Sequence, residues 1–316
     1  MKALCHKNKK ICIEEKPVPA PKETESLIKV TLAGVCNTDI EIVKGYMGFE
    51  GTLGHEFVGV VEKSSDTSLI GKRVVSDINC ACGECETCRR GHPHHCPHRE
   101  VIGIVKKDGA FATYITAPTK NLVVVPDTCP DQIAVFAEPV AAALEIQEQV
   151  KLKQDEAICV LGDGKLGLII AMTLANAGFD VTLVGHHPER LSRLGQNMVN
   201  YATQALDQIF TTVIEATGNP QGLITAQKIV LPKGKIILNS TYHEGFNFNP
   251  ALIVINEIEI TGSRCGPIDK AVALLSSGEV DPSTLIDKTY PLSEGVQAIA
   301  KATEKGVLKV LLDTTQ

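Results

Sequence analysis

The segment AICVLGDGKLG, residues 157–167, decides the fold of the second half of the chain. A short apolar run leads into three glycines spaced G-x-G-x-x-G, and an apolar helical pattern follows over 164–177. In a strand-turn-helix context this spacing binds a dinucleotide: Gly162 makes the turn, Gly164 admits the pyrophosphate, and Gly167 lets helix and strand pack closely. The phosphates then rest on free N–H groups of the helix. The residues assigned to this site are Gly162, Gly164, Lys165, Leu166 and Gly167.

Strand and helix patterns alternate through the rest of this half. Further strands are expected at 181–185, 212–216, 235–239 and 257–261. This alternation is typical of a doubly wound parallel sheet. The stretch 188–209 is short for a full helix and strand, so a shortened connection between strands is expected there. Ligands bind at the carboxyl ends of such strands, which makes Thr217 a candidate for the coenzyme pocket.

The first half has a different composition, which is rich in β-branched residues and in residues that favour turns. It is expected to be mainly β structure, with strands at 27–32, 57–61, 73–75 and 111–116. The loop 79–99 shows no apolar periodicity, so a device other than a hydrophobic face must hold it. Two amphipathic helices and a final strand are expected at 269–277, 293–303 and 307–312.

Four cysteines in that loop form the pattern C-x2-C-x2-C-x7-C. They are Cys82, Cys85, Cys88 and Cys96. Four thiolates at this spacing suit a tetrahedral zinc ion with every position closed, which is a structural site. An iron–sulfur cluster, a redox role or no metal are the alternatives, and nearby histidines could compete as ligands.

A second candidate metal site is spread over a longer stretch of sequence. Cys36 offers a thiolate, and nineteen residues later His55 offers an imidazole within Gly54-His55-Glu56. Either Glu56 or Glu138 could complete three protein ligands, which leaves a fourth position open and makes zinc a Lewis acid. An alcohol bound at that open position would lose its proton readily, and Thr38 is placed to hydrogen-bond its oxygen and pass the proton onward. Each residue alone could be purely structural, but the set indicates a catalytic site.

These motifs together resemble the medium-chain zinc alcohol dehydrogenase family. The resemblance rests on Cys36-x-Thr38-Asp39, on Gly54-His55-Glu56-x2-Gly59, on the four cysteines and on the downstream glycines, and it covers nearly the whole chain. It implies that Cys36, His55 and Glu138 or Glu56 hold the catalytic zinc, with Asp39 supporting a ligand.

The resemblance also implies the architecture and the substrate class. The fold class is α/β, with a GroES-like β-barrel catalytic domain at 1–135, completed by 266–316, and a Rossmann domain at 136–265. The Glu138-Pro139 pair is similar to the polyol and threonine dehydrogenase branch, which favours a polar secondary alcohol and its ketone as the small-molecule partners. A homodimer or homotetramer is implied as well.

Some positions depart from the family pattern. The interval between Cys36 and His55 is short, and Glu41 stands where some members have a relay histidine, so the proton could leave by another route. Asn37 replaces a basic residue that contacts the pyrophosphate in some relatives.

Coenzyme choice depends on the end of the second strand of the doubly wound sheet. An acidic residue there would bind the ribose 2′-hydroxyl, but the sequence reads Val184-Gly185-His186-His187. His186, His187 and Arg190 could receive a 2′-phosphate, so NADP(H) is favoured over NAD(H). In the alternative, His187 and Arg190 only decorate a solvated helix start and NAD(H) binds.

Composition and charge restrict the function classes. The 316 residues are 44% hydrophobic and carry a net charge of −6, which allows a two-domain core and argues against a nucleic-acid partner. The longest apolar runs fall short of the ~20 residues of a membrane span. Eleven cysteines, five of them close together, suit metal binding in the reducing cytoplasm.

Two other functions are alternatives to the zinc-dependent dehydrogenase. One is a zinc-free enone or quinone reductase, and the other is a non-catalytic zinc protein that senses the coenzyme.

Overall fold

A computed structural model describes residues 1–194, 199–204, 209–241 and 247–316. The chain divides into two compact units. The first consists of Met1–Glu138, Ile268–Ser277 and Ile286–Gln316, and the second of Pro139–Pro267 and Gly278–Leu285.

The strands follow one another in chain order. They are β1 (Lys2–Lys7), β2 (Lys10–Glu15), β3 (Glu25–Gly34), β4 (Gly51–Thr52), β5 (Glu56–Lys63), β6 (Arg73–Ser76), β7 (Asn79–Cys80), β8 (Glu100–Ile102), β9 (Lys106–Lys107), β10 (Tyr114–Pro118), β11 (Leu122–Val124), β12 (Ile158–Leu161), β13 (Val181–Val184), β14 (Asn200–Ala202), β15 (Phe210–Glu215), β16 (Val230–Leu238), β17 (Glu259–Gly262), β18 (Ile286–Pro291) and β19 (Lys309–Asp313).

The α-helices are fewer and mostly short. They are α1 (Asn37–Val43), α2 (Glu86–Arg89), α3 (Asp131–Ala134), α4 (Ala137–Gln149), α5 (Lys165–Asn176), α6 (Pro220–Ile229), α7 (Ala251–Ile255), α8 (Ile268–Ser277) and α9 (Gly295–Ala302). None of the helices described for this chain combines the length and the apolar character that a membrane span needs.

The first unit is built mainly from antiparallel strands. Its largest sheet has the order β11-β6-β5-β3-β19-β18, and β10 also pairs with β3. Smaller sheets have the orders β2-β1-β4 and β7-β8-β9. The register pairs Gly34, the end of β3, with Glu56, the start of β5. Cys36 comes just after the end of β3, and His55 comes directly before the start of β5. Because these two strand ends are neighbours, the segments that carry Cys36 and His55 lie close together.

The second unit contains a six-stranded parallel sheet with the order β14-β13-β12-β15-β16-β17. The strand nearest the glycine motif, β12, lies third in this order, which is the arrangement of a doubly wound dinucleotide fold. A core cluster that includes Val213, Ala226 and Ile236 packs α6 against the sheet. The predicted α/β fold class is confirmed.

Most of the elements expected in each half are present with shifted ends. The helix expected at 164–177 is α5, and the strands expected at 27–32 and 57–61 lie inside β3 and β5. The connection after β13 is a 3-10 helix, Pro188–Leu194, followed by the short strand β14. Neither β14 nor β18 was predicted, because the three residues of β14 give no periodicity and β18 buries only one of its six side chains.

Candidate active site and coenzyme site

The carboxylate of Asp39, buried in the first turn of α1, organises the residues around Cys36 and His55. Its Oδ2 accepts a hydrogen bond from the Cys36 backbone N–H at 2.8 Å. Its Oδ1 accepts from the Gly54 backbone N–H at 3.3 Å and lies 3.3 Å from His55 Nδ1. One buried group therefore fixes both segments and orients the imidazole, as a supporting carboxylate does at a metal site.

Three possible metal ligands meet beside this carboxylate. Donor atoms of Cys36, His55 and Glu56 all lie within 4.8 Å of one another. Burial alone would lower the pKa of His55, but the charges of Asp39 and Cys36 raise it well above its ordinary value. A thiol, an imidazole and a carboxylate crowded together in a buried site fit a cation such as zinc. Thr38 is adjacent, with Oγ1 3.8 Å from Cys36 Sγ.

A lysine that the sequence did not single out lies in the same site. The Lys309 ammonium, at the start of β19, donates to Glu56 Oε2, and each of the two side chains is only 2% exposed. A Cβ placed on Gly34 would lie 2.6 Å from Glu56 Oε2 and 2.8 Å from Lys309 Cε, so the missing side chain makes room for this ion pair. The Lys309 ammonium also lies 5.2 Å from the centre of the Phe136 ring.

The other candidate carboxylate, Glu138, lies in the first turn of α4. Burial raises its pKa to about 7, with Glu56 adding to the shift while His55 and Lys309 oppose it. The Glu138 carboxylate is not among the donor atoms of Cys36, His55 and Glu56 that lie within 4.8 Å of one another. Of the two candidate third ligands, the structure therefore groups Glu56 with Cys36 and His55.

The possible relay residue Glu41 has a different partner. Its Oε1 accepts from the Lys44 ammonium at 2.9 Å on the exposed side of α1. This contact supports the simpler interpretation of Glu41 as a surface carboxylate.

The four-cysteine loop has the geometry of a closed metal site. The Sγ atoms of Cys85 and Cys88, and those of Cys96 and Cys82, lie 3.5 Å apart, while the pairs 85–96 and 82–88 are separated by 3.8 and 4.0 Å. Zinc–sulfur bonds of about 2.3 Å in a tetrahedron separate sulfurs by about 3.8 Å. The four thiols are free of disulfides. The cluster fits zinc without rearrangement, and the nearby His94 is a partner of Asp77 at 2.9 Å.

In the second unit, the three glycines of the motif meet different steric demands. Gly162 has φ +113°, which side chains rarely adopt, and a Cβ on Gly167 would lie 1.9 Å from the Gly162 carbonyl oxygen. A Cβ on Gly164 would meet nothing within 4 Å, which leaves open space at the start of α5. Lys165 and Leu166 form the first turn of α5. These are the properties that a pyrophosphate-binding turn requires.

Thr217 follows β15, as expected. Its hydroxyl donates to the buried Glu215 carboxylate at 2.5 Å, and its backbone N–H donates to the same oxygen at 2.8 Å. The turn after β15 is thus held by an internal acidic residue that the sequence did not single out.

The basic residues expected to receive a 2′-phosphate do not share one environment. His186 is exposed. His187 and Arg190 both contact Asp163, the residue between the first two glycines of the motif. Sequence reasoning overlooked Asp163, although an acidic residue inside a phosphate-binding turn was a visible signal.

Comparison with known proteins gives the family. The model described as "Alcohol dehydrogenase GroES-like domain" matches residues 22–127. An L-threonine 3-dehydrogenase from Stenotrophomonas maltophilia is 31% identical over 83% of this chain and 84% of its own length. The chain belongs to the zinc-type medium-chain alcohol dehydrogenase family. This confirms the resemblance inferred from the motifs.

Other members of this family match the whole chain. A sorbitol dehydrogenase from Halalkalibacterium halodurans is 29% identical over 99% of both chains. The crystal structure of an Escherichia coli CFT073 alcohol dehydrogenase (rspB), complexed with NADH, is 28% identical, has a TM-score of 0.89 and covers 99% of both chains. As a member of the alcohol dehydrogenase family, this chain is an oxidoreductase that uses a nicotinamide coenzyme.

Proposed function

We propose that this dehydrogenase converts a polar secondary alcohol, such as a polyol or an amino alcohol, reversibly to its ketone, with zinc at Cys36 and His55 and with NAD(P)+ as hydride acceptor. The observation that carries the proposal is the group of Cys36, His55 and Glu56 donor atoms within 4.8 Å, oriented by Asp39. In this proposal the catalytic domain spans 1–135 and 266–316 and the coenzyme domain spans 136–265, although Gly278–Leu285 groups with the second unit.

We propose Glu138 as the third ligand, in place of the Glu56 carboxylate that lies within 4.8 Å of Cys36 and His55 in the structure. Lys309 already neutralises Glu56 and occupies one of its carboxylate oxygens. Glu138 is instead driven towards its neutral form by burial, with a pKa of about 7, and a divalent cation would restore its charge. Glu56 would remain beside the metal as a neutralised neighbour.

A zinc ion bound by these residues would polarise the alcohol oxygen and assist loss of its proton. Thr38 lies beside Cys36, and its hydroxyl could accept a hydrogen bond from the substrate hydroxyl and release its own proton outward as it takes the substrate proton. Asp39 keeps Cys36 and His55 in place during this transfer. The glycine turn before α5 would hold the pyrophosphate of the coenzyme.

The substrate class is supported by the relatives. They include dehydrogenases named for sorbitol, L-threonine and erythritol or L-threitol. These substrates are polyols or an amino alcohol.

A second, structural zinc would fix the loop that lacks a hydrophobic core of its own, held by Cys82, Cys85, Cys88 and Cys96. All eleven cysteines lie in the described part of the chain and none forms a disulfide, which suits a reducing compartment such as the cytoplasm.

A coupled activity and chelation experiment tests this function. Purified protein is screened with polyols, amino alcohols and simple alcohols against NAD+ and NADP+, with absorbance at the reduced nicotinamide band as readout. We expect activity on a polar secondary alcohol, loss of that activity on chelation, and recovery with Zn2+. Reduction of enones or quinones that survives chelation would contradict the proposal and indicate the zinc-free reductase.

We also propose that the chain forms a homodimer or a homotetramer through the edge strand β17. Among the described strands β17 pairs only with β16, and it carries the 39% exposed Ile260. On α7, Val254 and Ile255 are 74% and 73% exposed. An open strand edge with apolar neighbours is prone to pair with another chain.

Substitution of Ile260 by lysine is expected to convert the oligomer to monomers, because a charged side chain on an edge strand opposes pairing. Light scattering after size-exclusion chromatography measures the mass. The exposed Ile70, in the first unit, gives a matched control, and Ile70→Lys should leave the mass unchanged. A wild-type protein that is monomeric would contradict the proposal.

A further inference from the structure

A glycine follows the second strand of the doubly wound sheet, and the Asp163 carboxylate occupies the space that a side chain at this position would fill. In dinucleotide folds an acidic residue at the end of this strand binds the ribose 2′-hydroxyl. Here the strand is β13, and the residue after it is Gly185. A Cβ placed on Gly185 would lie 2.2 Å from Asp163 Cγ and 2.3 Å from its Oδ2. An acidic group is therefore present at the strand end, although it comes from the glycine turn.

Asp163 is held firmly in this position. Its Oδ2 accepts from the His187 backbone N–H at 2.7 Å and from the Tyr201 hydroxyl at 3.0 Å. Its Oδ1 lies 3.1 Å from His187 Nδ1 and 3.4 Å from Arg190 Nη1. Burial would raise the pKa of Asp163, but the hydrogen bonds from His187 and Tyr201 lower it below its ordinary value. The group is thus a fixed negative charge at neutral pH.

The same contacts engage two of the three residues on which a 2′-phosphate would depend, His187 and Arg190, while His186 stays exposed. Arg190 Nη1 donates to the Asp163 carbonyl oxygen at 2.8 Å, and its charge is balanced by the Asp163 carboxylate. His187 is also a partner of Asp163. A 2′-phosphate would bring up to two negative charges next to this carboxylate, whereas a 2′-hydroxyl could donate a hydrogen bond to it.

We propose that Asp163 is the coenzyme-specificity residue of this protein, and that it selects NAD(H) over NADP(H). This reverses the preference expected from the sequence, which treated His187 and Arg190 as cations without an anionic partner. The inference rests on the proposed function only in requiring that the second unit binds a nicotinamide dinucleotide.

Binding of coenzyme fragments tests this inference without any catalysis. Titration calorimetry compares adenosine 5′-monophosphate with adenosine 2′,5′-bisphosphate, and NADH with NADPH. The fluorescence of the reduced coenzymes gives a second measure of their binding. We expect the wild type to bind the forms without the 2′-phosphate at least tenfold more tightly.

Asp163→Asn removes the charge with little change in size and is expected to shift the affinity ratio at least tenfold towards the phosphorylated forms. Tyr201→Phe is the matched control, because it removes one hydrogen bond to the same carboxylate but keeps the charge, and its ratio should move far less than that of Asp163→Asn. A wild type that prefers the 2′-phosphate overturns the inference, even if the variants fail to fold. An unchanged ratio in folded Asp163→Asn overturns it as well. Because fragment binding needs neither zinc nor an alcohol, either result leaves the proposed reaction to its own test.

Discussion

Cys36→Ser is expected to abolish alcohol oxidation, with kcat/KM falling by on the order of a thousandfold or more. A serine hydroxyl is a poor replacement for a thiolate ligand, so the zinc proposed at Cys36 and His55 would be lost or displaced. Polarisation of a substrate oxygen by zinc is worth several kcal/mol, and each 1.36 kcal/mol is about a factor of ten in rate. Steady-state kinetics with the best alcohol from the screen measures the effect.

Coenzyme binding and metal content separate this loss from misfolding. The glycine turn that is expected to bind the coenzyme lies in the second unit, so Cys36→Ser should bind NADH as the wild type does. Metal analysis should find one zinc per chain instead of two. Cys85→Ser is the matched control, since it should lose the other zinc from the four-cysteine loop and lower thermal stability. If Cys36→Ser keeps two zinc ions and normal turnover, the proposed catalytic site is wrong.

Lys309→Met is expected to destabilise the first unit by about 3–5 kcal/mol, because it leaves the buried Glu56 carboxylate without its cation. Methionine is close to lysine in length and is apolar, so the loss reflects charge more than volume. Denaturant unfolding monitored by circular dichroism gives the free energy of unfolding. The change should appear in the midpoint of the transition with little change in its slope.

A double-mutant cycle distinguishes the lost ion pair from lost packing. Glu56→Gln combined with Lys309→Met should restore much of the stability, because no uncompensated charge remains. Lys309→Arg keeps the charge and should lose less than Lys309→Met, although Gly34 leaves limited room for the larger group. The cycle is closed by Glu56→Gln alone, and a loss in the double variant equal to the sum of the two single losses would show that the pair contributes no coupling energy.

The motifs that were readable from the sequence are those whose residues are close together or carry a fixed spacing. The glycine turn, the four cysteines and the Gly54-His55-Glu56 segment belong to this class. Even the doubly wound fold followed from one such motif and the alternation after it. Local spacing was sufficient because each motif is one turn or one loop.

Contacts between distant parts of the chain could not be predicted in this way. Lys309 lies 253 residues from Glu56, and no pattern in the final strand announces that its lysine points inward. His187 and Arg190 were recognised as basic, but their pairing with Asp163 depends on the meeting of two strand ends. The choice between Glu56 and Glu138 was open for the same reason, since it depends on which carboxylate Lys309 neutralises.

The hydrogen atom that serves as the side chain of Gly34 restricts how this protein can evolve. Even alanine there would crowd both partners of the buried ion pair. Positions 34, 56 and 309 are therefore expected to change together, because a substitution at one of them is tolerated only with compensating substitutions at the others. A lineage that replaced the pair with apolar side chains would gain freedom at position 34, and one that kept the pair would be expected to retain glycine.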